Sequence, residues 1–552
     1  MNTNALPLAK QSSNAPVVAR TKAPGSDTRM GFLAWLAGDV PGFPADNEKF
    51  RRQYIALFFL LLCASIAILF YRLTAPPIEL WDESRLANNA LEMAHTGFSF
   101  ITTYDWLPDH WNTKPPLLIW IMAASMKLVG INELGVRLPS VIASMATVLF
   151  VYLFVARCFR LPVQAFLAAL IVLATPGYIH VHGARSGNYD ALLTLLTTVF
   201  LMSAFLFLEG EETKKRKYFA VMAVAIVAAF YTKAIQGLIF LPALFAYALI
   251  RGRIVMVLSK RYFYVGCVLV VASCVAYYWF RNYIDPGYFA AVQANDLGGR
   301  YSVPQEGHAG SPLWYLKSYK YFPWLIPGFL MGIYLCFKGS QISRRFVLFM
   351  TIASLTYFAV ISTASTKLVW YATPLVPLSA IACALGVGKA AAMLRGGAPT
   401  SMKWRSTVLL ATMATISVIA FNIAWVERTV ARKQQNPQDQ HSYALRSMIN
   451  NGEKYRALVV VHPGYTSGPD SEFYVAPTMF YANALTIAGT PTTIVEHGTP
   501  VDKKATILAC GGSVPMHGGA VKSILSNESK CMLHVSDADI AILGKFPAGA
   551  DH

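Results

Sequence analysis

The sequence is poor in charged residues. Only 14% of its 552 residues are Asp, Glu, Lys or Arg, whereas soluble globular domains carry about 25%. Apolar residues make up 55% of the chain, and many lie in runs close to the roughly 20 residues that a helix needs to cross a bilayer. Such runs recur from Tyr54 to Trp425. This composition excludes a soluble enzyme and predicts a polytopic α-helical membrane protein.

Acidic residues are the scarcer charged class, which gives a net charge of +18. A large positive charge is also typical of nucleic-acid-binding proteins, which carry a basic stripe on a soluble domain. Here the Lys and Arg residues form short clusters between apolar runs, which is where membrane topology places them. We therefore exclude nucleic acid as a partner.

The sequence lacks a CxxC pair, so its eight cysteines carry little signal for a metal site. Six of them lie in or beside apolar runs, as small packing residues do. Cys510 and Cys531 lie in the polar C-terminal part. They can form a disulfide if that part lies outside the cytoplasm, although the sequence alone does not show that they are close.

No apolar signal-peptide core precedes the first long run. Residues 1–50 are rich in Ala, Ser, Pro, Asn and Lys, which predicts a disordered cytoplasmic tail. Lys49, Arg51 and Arg52 precede the first predicted span, Tyr54–Tyr71. Because positive flanking charge stays in the cytoplasm, the N-terminus is expected inside and the chain is expected to emerge near Arg72.

Ten further spans are predicted, near residues 137–157, 162–180, 188–208, 218–234, 235–250, 262–281, 321–337, 345–364, 369–394 and 406–425. Every even-numbered connection between spans is basic, as expected for cytoplasmic loops. The apolar segment 115–130 is short, and we expect it to lie on or dip into the outer leaflet. Residues 51–425 are thus predicted as a membrane domain with outer loops at 73–136 and 282–320. Residues 426–552 are predicted as a small periplasmic α/β domain.

This topology places several polar residues together on the outer face. Asp82 and Glu83 open a predicted helix directly after the first span, and Asp190 opens a later span. Carboxylates also favour helix N-termini for capping reasons alone, but an acidic residue at membrane depth indicates function. Lys114 precedes a Pro pair, and either holds a phosphate as a point charge or extends to the membrane surface.

Two later loops add to this outer group. His308 lies in the second large loop, and Lys367 and Tyr371 lie one helical turn apart before a later span. A transporter would place its polar groups near the middle of broken helices, whereas here they lie at the outer ends of mostly apolar spans. The pattern favours an enzyme that acts at the membrane surface on a lipid head group.

The motifs WDESR, TKPPL, LGVRLPS and STKLVWYATPLVP, beginning at residues 81, 113, 134 and 365, occur in an order that resembles a glycosyltransferase family. It is the bacterial branch of the GT-C enzymes, which groups protein O-mannosyltransferases with the lipid A 4-amino-4-deoxy-L-arabinose transferases. The resemblance covers residues 50–425 and implies about 11–13 transmembrane helices. It also implies transfer of a sugar, with inversion, from an undecaprenyl-phosphate carrier to a lipid or glycan acceptor.

The resemblance also implies roles for individual residues. Asp82, with Glu83 beside it, and Asp190 match the functional carboxylates. The donor phosphate is expected to meet a set of four residues: Arg85, Lys114, Lys367 and Tyr371. His308 matches a metal-ligating His, but Thr113 stands where these relatives often carry a Glu ligand. That difference argues against a divalent metal at His308 and against the aminoarabinose subgroup.

The sequence names neither the sugar nor the acceptor. Lipid A, another lipopolysaccharide sugar, a cell-wall glycan and a protein hydroxyl all remain open as acceptors. A flippase or transporter for a lipid-linked sugar is the alternative in a different class, and it would predict charge within the spans. A non-catalytic membrane scaffold would leave the outer group of polar residues without an explanation.

Overall fold

A computed structural model describes residues 48–304, 307–338, 341–394, 404–436, 439–462 and 471–495, with short strand segments at 500–501, 505–510, 521–524, 531–535 and 540–541. Residues 1–47, which make up most of the predicted N-terminal tail, lie outside the described residues. The described residues from Arg52 onward form one compact unit.

Helices dominate the described part of the chain. They are α1 Glu48–Phe70, α2 Asp82–Thr96, α3 Leu117–Val129, α4 Glu133–Phe159, α5 Pro162–Leu173, α6 Pro176–Ile179, α7 Tyr189–Glu209, α8 Lys215–Lys233, α9 Leu241–Ile250, α10 Ile254–Leu258, α11 Arg261–Ile284, α12 Tyr288–Val292, α13 Gly299–Ser302, α14 Trp314–Lys317, α15 Leu325–Lys338, α16 Gln341–Thr363, α17 Val376–Leu394, α18 Trp404–Gln435, α19 Gln440–Asn450 and α20 Ser471–Ile487. Short 3-10 segments, Glu212–Lys214, Ala234–Leu238 and Val369–Leu375, adjoin α8 and α17, and a π turn, Gln293–Leu297, follows α12.

Eight helical segments of the described chain are long and apolar enough to cross a membrane, and four shorter apolar helices lie between them. The prediction of a polytopic membrane protein is confirmed. The segment expected to be too short for a span forms α3, a helix of 13 residues.

Two of the predicted spans are shorter than expected, and proline explains where they break. The segment 162–180 ends its helix at Leu173, ahead of Pro176. The segment 235–250 is helical only from Leu241, with Pro242 in its first turn. Proline cannot donate the helical hydrogen bond and disfavours a helical residue before it, so each helix ends or begins at these points.

The C-terminal part is an α/β unit, as predicted. Its strands are β3 Leu458–Val461, β4 Thr492–Val495, β6 Thr506–Cys510, β7 Val521–Ile524 and β8 Cys531–Val535, in the spatial order β4-β3-β6-β8-β7. β3 pairs in parallel with β4 and β6, whereas β8 is antiparallel to β6 and β7. Short antiparallel pairs also form between β5 Pro500–Val501 and β9 Ile540–Ala541, and between β1 Thr103–Tyr104 and β2 Leu107–Pro108.

Cys510 and Cys531 are register partners on β6 and β8 and form a disulfide. The pairing that the sequence left open is therefore present. The other six cysteines are free.

The C-terminal unit shares one hydrophobic core with the loop that follows α1. Leu86 and Leu91 of α2 are fully buried in the same cluster as Leu445 of α19, Phe480 of α20 and Leu458 of β3. Helix α20, which the sequence analysis did not predict, packs against α2 and accepts a hydrogen bond from Asn88 at the carbonyl of Ala476. The α/β unit thus fixes the position of α2, whose first residue is Asp82.

The two ends of α7 differ in chemistry. Asp190 lies at its start and Glu209 at its end, about 28 Å apart at the 1.5 Å rise per residue of an α-helix. Glu209 pairs with three arginines, of which Arg251 and Arg253 lie in the connection after α9 and Arg345 lies near the start of α16. These basic residues therefore meet at one end of the bundle, whereas Asp190 lies at the other.

Candidate active site

The entry to α2 is held by a buried ion pair between Glu83 and Arg137 of α4. The two side chains are each 1% exposed, and two hydrogen bonds of 2.8 Å join them. Glu83 also accepts from the backbone N–H groups of Glu79 and Gly187, each at 2.7 Å. A carboxylate offers about four lone-pair sites, so the hydrogen-bonding capacity of Glu83 is used in full.

Arg137 is satisfied in the same way. Besides Glu83, its guanidinium donates to the carbonyls of Leu73, Pro76 and Pro77 at 2.7–2.8 Å. These contacts tie the chain leaving α1 to the start of α2 and, through Glu83, to the segment before Asp190. Glu83, one of the predicted catalytic residues, therefore has a structural role and does not line the site cavity.

That cavity has a volume of about 410 Å³ and is formed by side chains from widely separated parts of the sequence. The lining residues are Trp81, Asp82, Leu86, Trp111, Asn112, Lys114, His182, Asn188, Tyr189, Asp190, Lys233, Gln236, Arg300, His308, Leu368, Trp370 and Tyr371. Five predicted site residues are thus brought together, namely Asp82, Lys114, Asp190, His308 and Tyr371. The cavity carries two carboxylates together with two lysines and one arginine.

Asp82 reaches the cavity through an unusual backbone turn. Trp81, which precedes it, has a φ of 72°, a value that is rare for a bulky residue and is tolerated mainly at functional sites. About a third of the Asp82 side chain is exposed, and its Oδ2 lies 3.5 Å from Nδ1 of His182. His182 also has a positive φ, 49°, and its ring stacks on Trp370 with 3.7 Å between centroids.

The two partners shift each other's protonation. Burial opposes ionisation of Asp82, but the charges of His182, Lys233 and Arg300 outweigh it and lower the pKa of the carboxyl below its usual value. Burial also disfavours the imidazolium of His182, but Asp82, Glu79 and Asp190 outweigh it and raise the pKa of the ring. Asp82 is therefore held ionised beside a histidine that favours its protonated form.

Asp190 is buried and paired with Lys233, the last residue of α8. The Nζ atom of Lys233 donates to Oδ1 of Asp190 at 2.7 Å, and the two side chains are 6% and 5% exposed. The Lys233 ammonium also lies 5.3 Å from the centroid of the Tyr371 ring. Asp190 and Asp82 thus differ, since Asp190 is tied to a lysine whereas Asp82 remains accessible from the cavity.

Lys114 pairs with Asp296 from the second large loop. Its Nζ lies 2.9 Å from Oδ1 of Asp296, and the hydroxyl of Thr113 donates to Oδ2 at 2.6 Å. Burial raises the pKa of Asp296, but Lys114 and Thr113 outweigh it and the net shift is downward. Thr113 therefore helps Asp296 orient the lysine.

Two residues predicted to bind the donor phosphate lie outside the cavity. Arg85 is buried, pairs with Asp109 at 2.9 Å and lies 3.5 Å from the centroid of the Tyr104 ring. The ammonium of Lys367 donates to the carbonyls of Ile361, Ser362 and Ala364 at the end of α16. Cations favour this end of a helix because its last carbonyls lack partners.

The backbone around Lys367 nevertheless forms hydrogen bonds to residues that line the cavity. Its N–H donates to the carbonyl of His308 at 2.8 Å, and the N–H of Thr366 donates to the carbonyl of Arg300 at 3.1 Å. These bonds hold the second large loop against the start of the α17 segment. The STKLVWY motif therefore positions Arg300 and His308 at the cavity and contributes Tyr371 itself.

The residues present do not fit a resident divalent metal at His308. Within the described residues, no group of three or more His, Cys, Asp and Glu side chains is placed to hold a metal ion. The position that could have supplied a carboxylate beside Lys114 is Thr113, and its hydroxyl is engaged by Asp296. We derive no step through a metal.

Sequence reasoning missed three residues as site residues: His182, Lys233 and Arg300. Lys233 carried a usable signal, because a cation at the end of an apolar span indicates function by default. His182 lies in IHVHGARSGNYD, where nothing in the pattern distinguishes it from the neighbouring His180, whose ring stacks on Trp425 instead. Arg300 was one of several charged residues in its loop, and only the fold selects it.

Comparisons with known proteins agree with the membrane fold. Residues 113–279 match the family model described as dolichyl-phosphate-mannose-protein mannosyltransferase. The crystal structure of ArnT from Cupriavidus metallidurans bound to undecaprenyl phosphate superposes on 87% of this chain and 98% of that chain, with a TM-score of 0.59 and 16% identity. At that identity the likeness shows the fold alone, and the fold is that of a GT-C membrane glycosyltransferase.

Two curated relatives are undecaprenyl phosphate-α-4-amino-4-deoxy-L-arabinose arabinosyl transferases. The one from Pseudomonas savastanoi pv. phaseolicola is 26% identical over 51% of this chain and 50% of its own length. One from Pseudomonas fluorescens strain Pf-5 is 31% identical over 32% of this chain and 30% of its own length. The chain thus matches half or less of these relatives' lengths. The resemblance to GT-C enzymes of the O-mannosyltransferase and aminoarabinose transferase type is confirmed.

The contrast between Glu83 and Asp82 gives a stability prediction. Glu83→Gln removes the charge that Arg137 neutralises and should destabilise the protein by about 3–5 kcal/mol, the cost of breaking a buried pair. Asp82→Asn, at a partly exposed site, should leave the unfolding temperature near that of the wild type. Thermal unfolding in detergent measures both variants. Glu211→Gln is the control, because it removes only an exposed pair with Lys214, and exposed pairs contribute little to stability. Equal melting of all three variants would contradict the assignment.

Proposed function

We propose that this chain is an inverting glycosyltransferase that moves a sugar from a polyprenyl-phosphate carrier, undecaprenyl phosphate in a bacterium, to an acceptor at the cavity. The observation that carries the proposal is the cavity itself. One partly exposed carboxylate, Asp82, faces the same space as Lys114, Lys233 and Arg300. A base and a cluster of cations are what transfer away from a phosphate leaving group requires.

The reaction has two changes of charge that these residues can stabilise. The acceptor oxygen forms a bond to the anomeric carbon while the bond from that carbon to the carrier phosphate oxygen breaks. The acceptor proton passes to Asp82, and the electron pair of the broken bond stays on the carrier phosphate. An acceptor that is already an anionic phosphate needs orientation by Asp82 rather than deprotonation.

The leaving phosphate is assigned to Lys114 and Arg300, and Lys233 is a third cation of the same cavity. Lys114 is held from one side by Asp296, and Arg300 is placed by the backbone bond to Thr366. Positive charge fixed in advance stabilises the charge that grows on the phosphate without reorganisation. Asp190 acts by holding Lys233 rather than as a base, because its carboxylate is buried in that ion pair.

We assign the cavity and the C-terminal unit to the periplasmic face, with the N-terminus in the cytoplasm. The arginines that meet Glu209 lie at the other end of α7, and positive loops remain in the cytoplasm. The disulfide between Cys510 and Cys531 supports the same orientation, because disulfides persist in oxidising compartments.

For the substrates, we propose a sugar donor like that of the named arabinosyl transferases and an acceptor of the lipid A or envelope-glycan class. The names of the two Pseudomonas relatives support this choice. The alternative is a protein O-mannosyltransferase activity. The family model that matches residues 113–279 supports it.

Asp82→Asn should reduce transfer by about 10²-fold or more, because general-base catalysis typically contributes 10²–10⁴-fold. The measurement is transfer of radiolabelled sugar by purified protein from synthetic undecaprenyl-phosphate sugars, tested against lipid A and peptide acceptors. Asp105→Asn, an exposed carboxylate in the same loop, is the matched control and should keep normal rates. Near-normal turnover by the Asp82 variant would refute the proposed base.

His182→Gln should narrow the pH range of activity from the acidic side. In the wild type the imidazolium lowers the pKa of Asp82, so the base stays ionised as the pH falls. Without it the Asp82 pKa rises, and loss of kcat/KM on acidification begins at a higher pH. Lys233 and Arg300 still face Asp82 and limit the shift. A kcat/KM profile with an unchanged acidic limb and only a uniform loss would show that His182 acts through packing on Trp370.

The orientation is tested by cysteine labelling of spheroplasts with a membrane-impermeant maleimide, in a background whose free cysteines are replaced by Ala. Ser99→Cys in the first loop and Lys454→Cys in the C-terminal unit should react in intact spheroplasts. Lys217→Cys, at the basic end, should react only after permeabilisation. All three positions are exposed, so the reverse pattern would overturn the proposed sidedness.

A further inference from the structure

A second cavity lies at the end of the bundle opposite the candidate active site. It has a volume of about 410 Å³, within the range of about 300–1,000 Å³ typical of small-molecule sites. Its walls come from α7, α8, α9, α10 and α11, and every lining residue is apolar, Phe207, Met222 and Phe263 among them. No residue of the proposed transfer chemistry lines it.

The mouth of this second cavity adjoins the two basic connections. Leu208 lines the cavity and directly precedes Glu209, and Ile254 lines it and directly follows Arg253. Residues 209–217 and 251–261 together contain eight Lys or Arg residues and three Glu residues. An apolar slot therefore opens beside an excess of positive charge.

The three glutamates form ion pairs with only some of these eight cations. Glu209 pairs with Arg251 and Arg253, Glu212 with Lys215 and Lys260, and Glu211 with Lys214. Arg216, Lys217 and Arg261 are exposed, and none of them forms an ion pair within the described part of the chain. Each of the three is within three residues, along the sequence, of a residue that lines the second cavity.

We propose that the second cavity binds an anionic glycerophospholipid, with an acyl chain in the apolar slot and the phosphate against Arg216, Lys217 and Arg261. Both parts of the ligand follow from the site. The described lining residues have no polar group to receive a head group, and the cations lie in the connections and helix starts that adjoin the lining. Anionic head groups attract such juxtamembrane cations.

Two other occupants fit the site less well. Bulk lipid of any class would fill the slot but would give the exposed cations no role. The tail of a polyprenyl carrier is also apolar, but its phosphate would lie at the candidate active site, about 27 Å away along α7 at the helical rise. The positive mouth therefore favours a ligand whose own charge lies at this end.

The proposal is tested by native mass spectrometry of the full chain released from nanodiscs of equimolar phosphatidylglycerol and phosphatidylcholine. The wild type should retain one phosphatidylglycerol in preference to phosphatidylcholine. The triple variant Arg216→Gln, Lys217→Gln and Arg261→Gln should lose at least about tenfold of that preference, since each cation near an anionic surface contributes about fivefold. Replacing Lys317, Lys320 and Arg428, three exposed cations elsewhere, by Gln should leave it unchanged.

A cavity-filling variant tests the apolar part. Ala223 lines the cavity, so Ala223→Phe should abolish retention of the lipid, whereas Ala220→Phe, on an exposed position of the same helix, should not. If Ala223→Phe fails to fold, the surface triple variant still decides the outcome. Equal retention of both lipids by the wild type, or displacement of phosphatidylglycerol by added undecaprenyl phosphate, would overturn the proposal. Neither result depends on whether the chain transfers a sugar.

Discussion

The buried pair of Glu83 and Arg137 is the constraint on which the site depends. Bringing two charges out of water costs several kcal/mol per ion, which is recovered only when every donor and acceptor finds a partner. Glu83 accepts four hydrogen bonds and Arg137 donates five. Because these bonds reach the exit of α1, the start of α2 and the segment before α7, they fix Asp82 relative to Asp190.

The same pair explains why two adjacent carboxylates differ so much. Successive residues on a helix point about 100° apart, so Glu83 faces the interior while Asp82 faces the cavity. Trp81 enters the helix with a positive φ, which turns Asp82 toward His182. The shared core between α2 and the C-terminal unit supports this helix from its other face. The α/β unit is thus part of the scaffold of the site, although none of its described residues lines the cavity.

Three lysines, Lys114, Lys233 and Lys367, also differ in what they contact. Lys114 and Lys233 line the cavity, each oriented by a carboxylate, whereas Lys367 closes the end of α16. All three lie at the ends of apolar segments, and each is compatible with phosphate binding by charge alone. What separates them is the set of acceptors nearby, which depends on how distant segments pack.

These cases define what the sequence could predict. Hydropathy and charge spacing predicted the membrane fold, and the order of outer loops predicted that Asp82, Lys114, Asp190, His308 and Tyr371 meet, because these signals are local or follow from topology. The sequence could not predict three side-chain pairs: Glu83 with Arg137, Arg85 with Asp109, and His182 with Asp82. Each joins residues from different segments, and a change of partner leaves the local pattern unaltered. Helix α20 was missed because Pro477 interrupts its sequence, while its packing on α2 maintains it.

Asp82 is the accessible carboxylate on one wall of the cavity, and Lys114 with Arg300 are the cations proposed to bind the leaving phosphate. The most direct test is an electron cryomicroscopy structure of the wild type in nanodiscs with undecaprenyl phosphate. The account predicts the phosphate within hydrogen-bonding distance of Lys114 and Arg300, with the Asp82 carboxylate facing it across the space for a sugar. A phosphate bound away from the cavity, or bound with Asp82 turned out of it, would contradict the account.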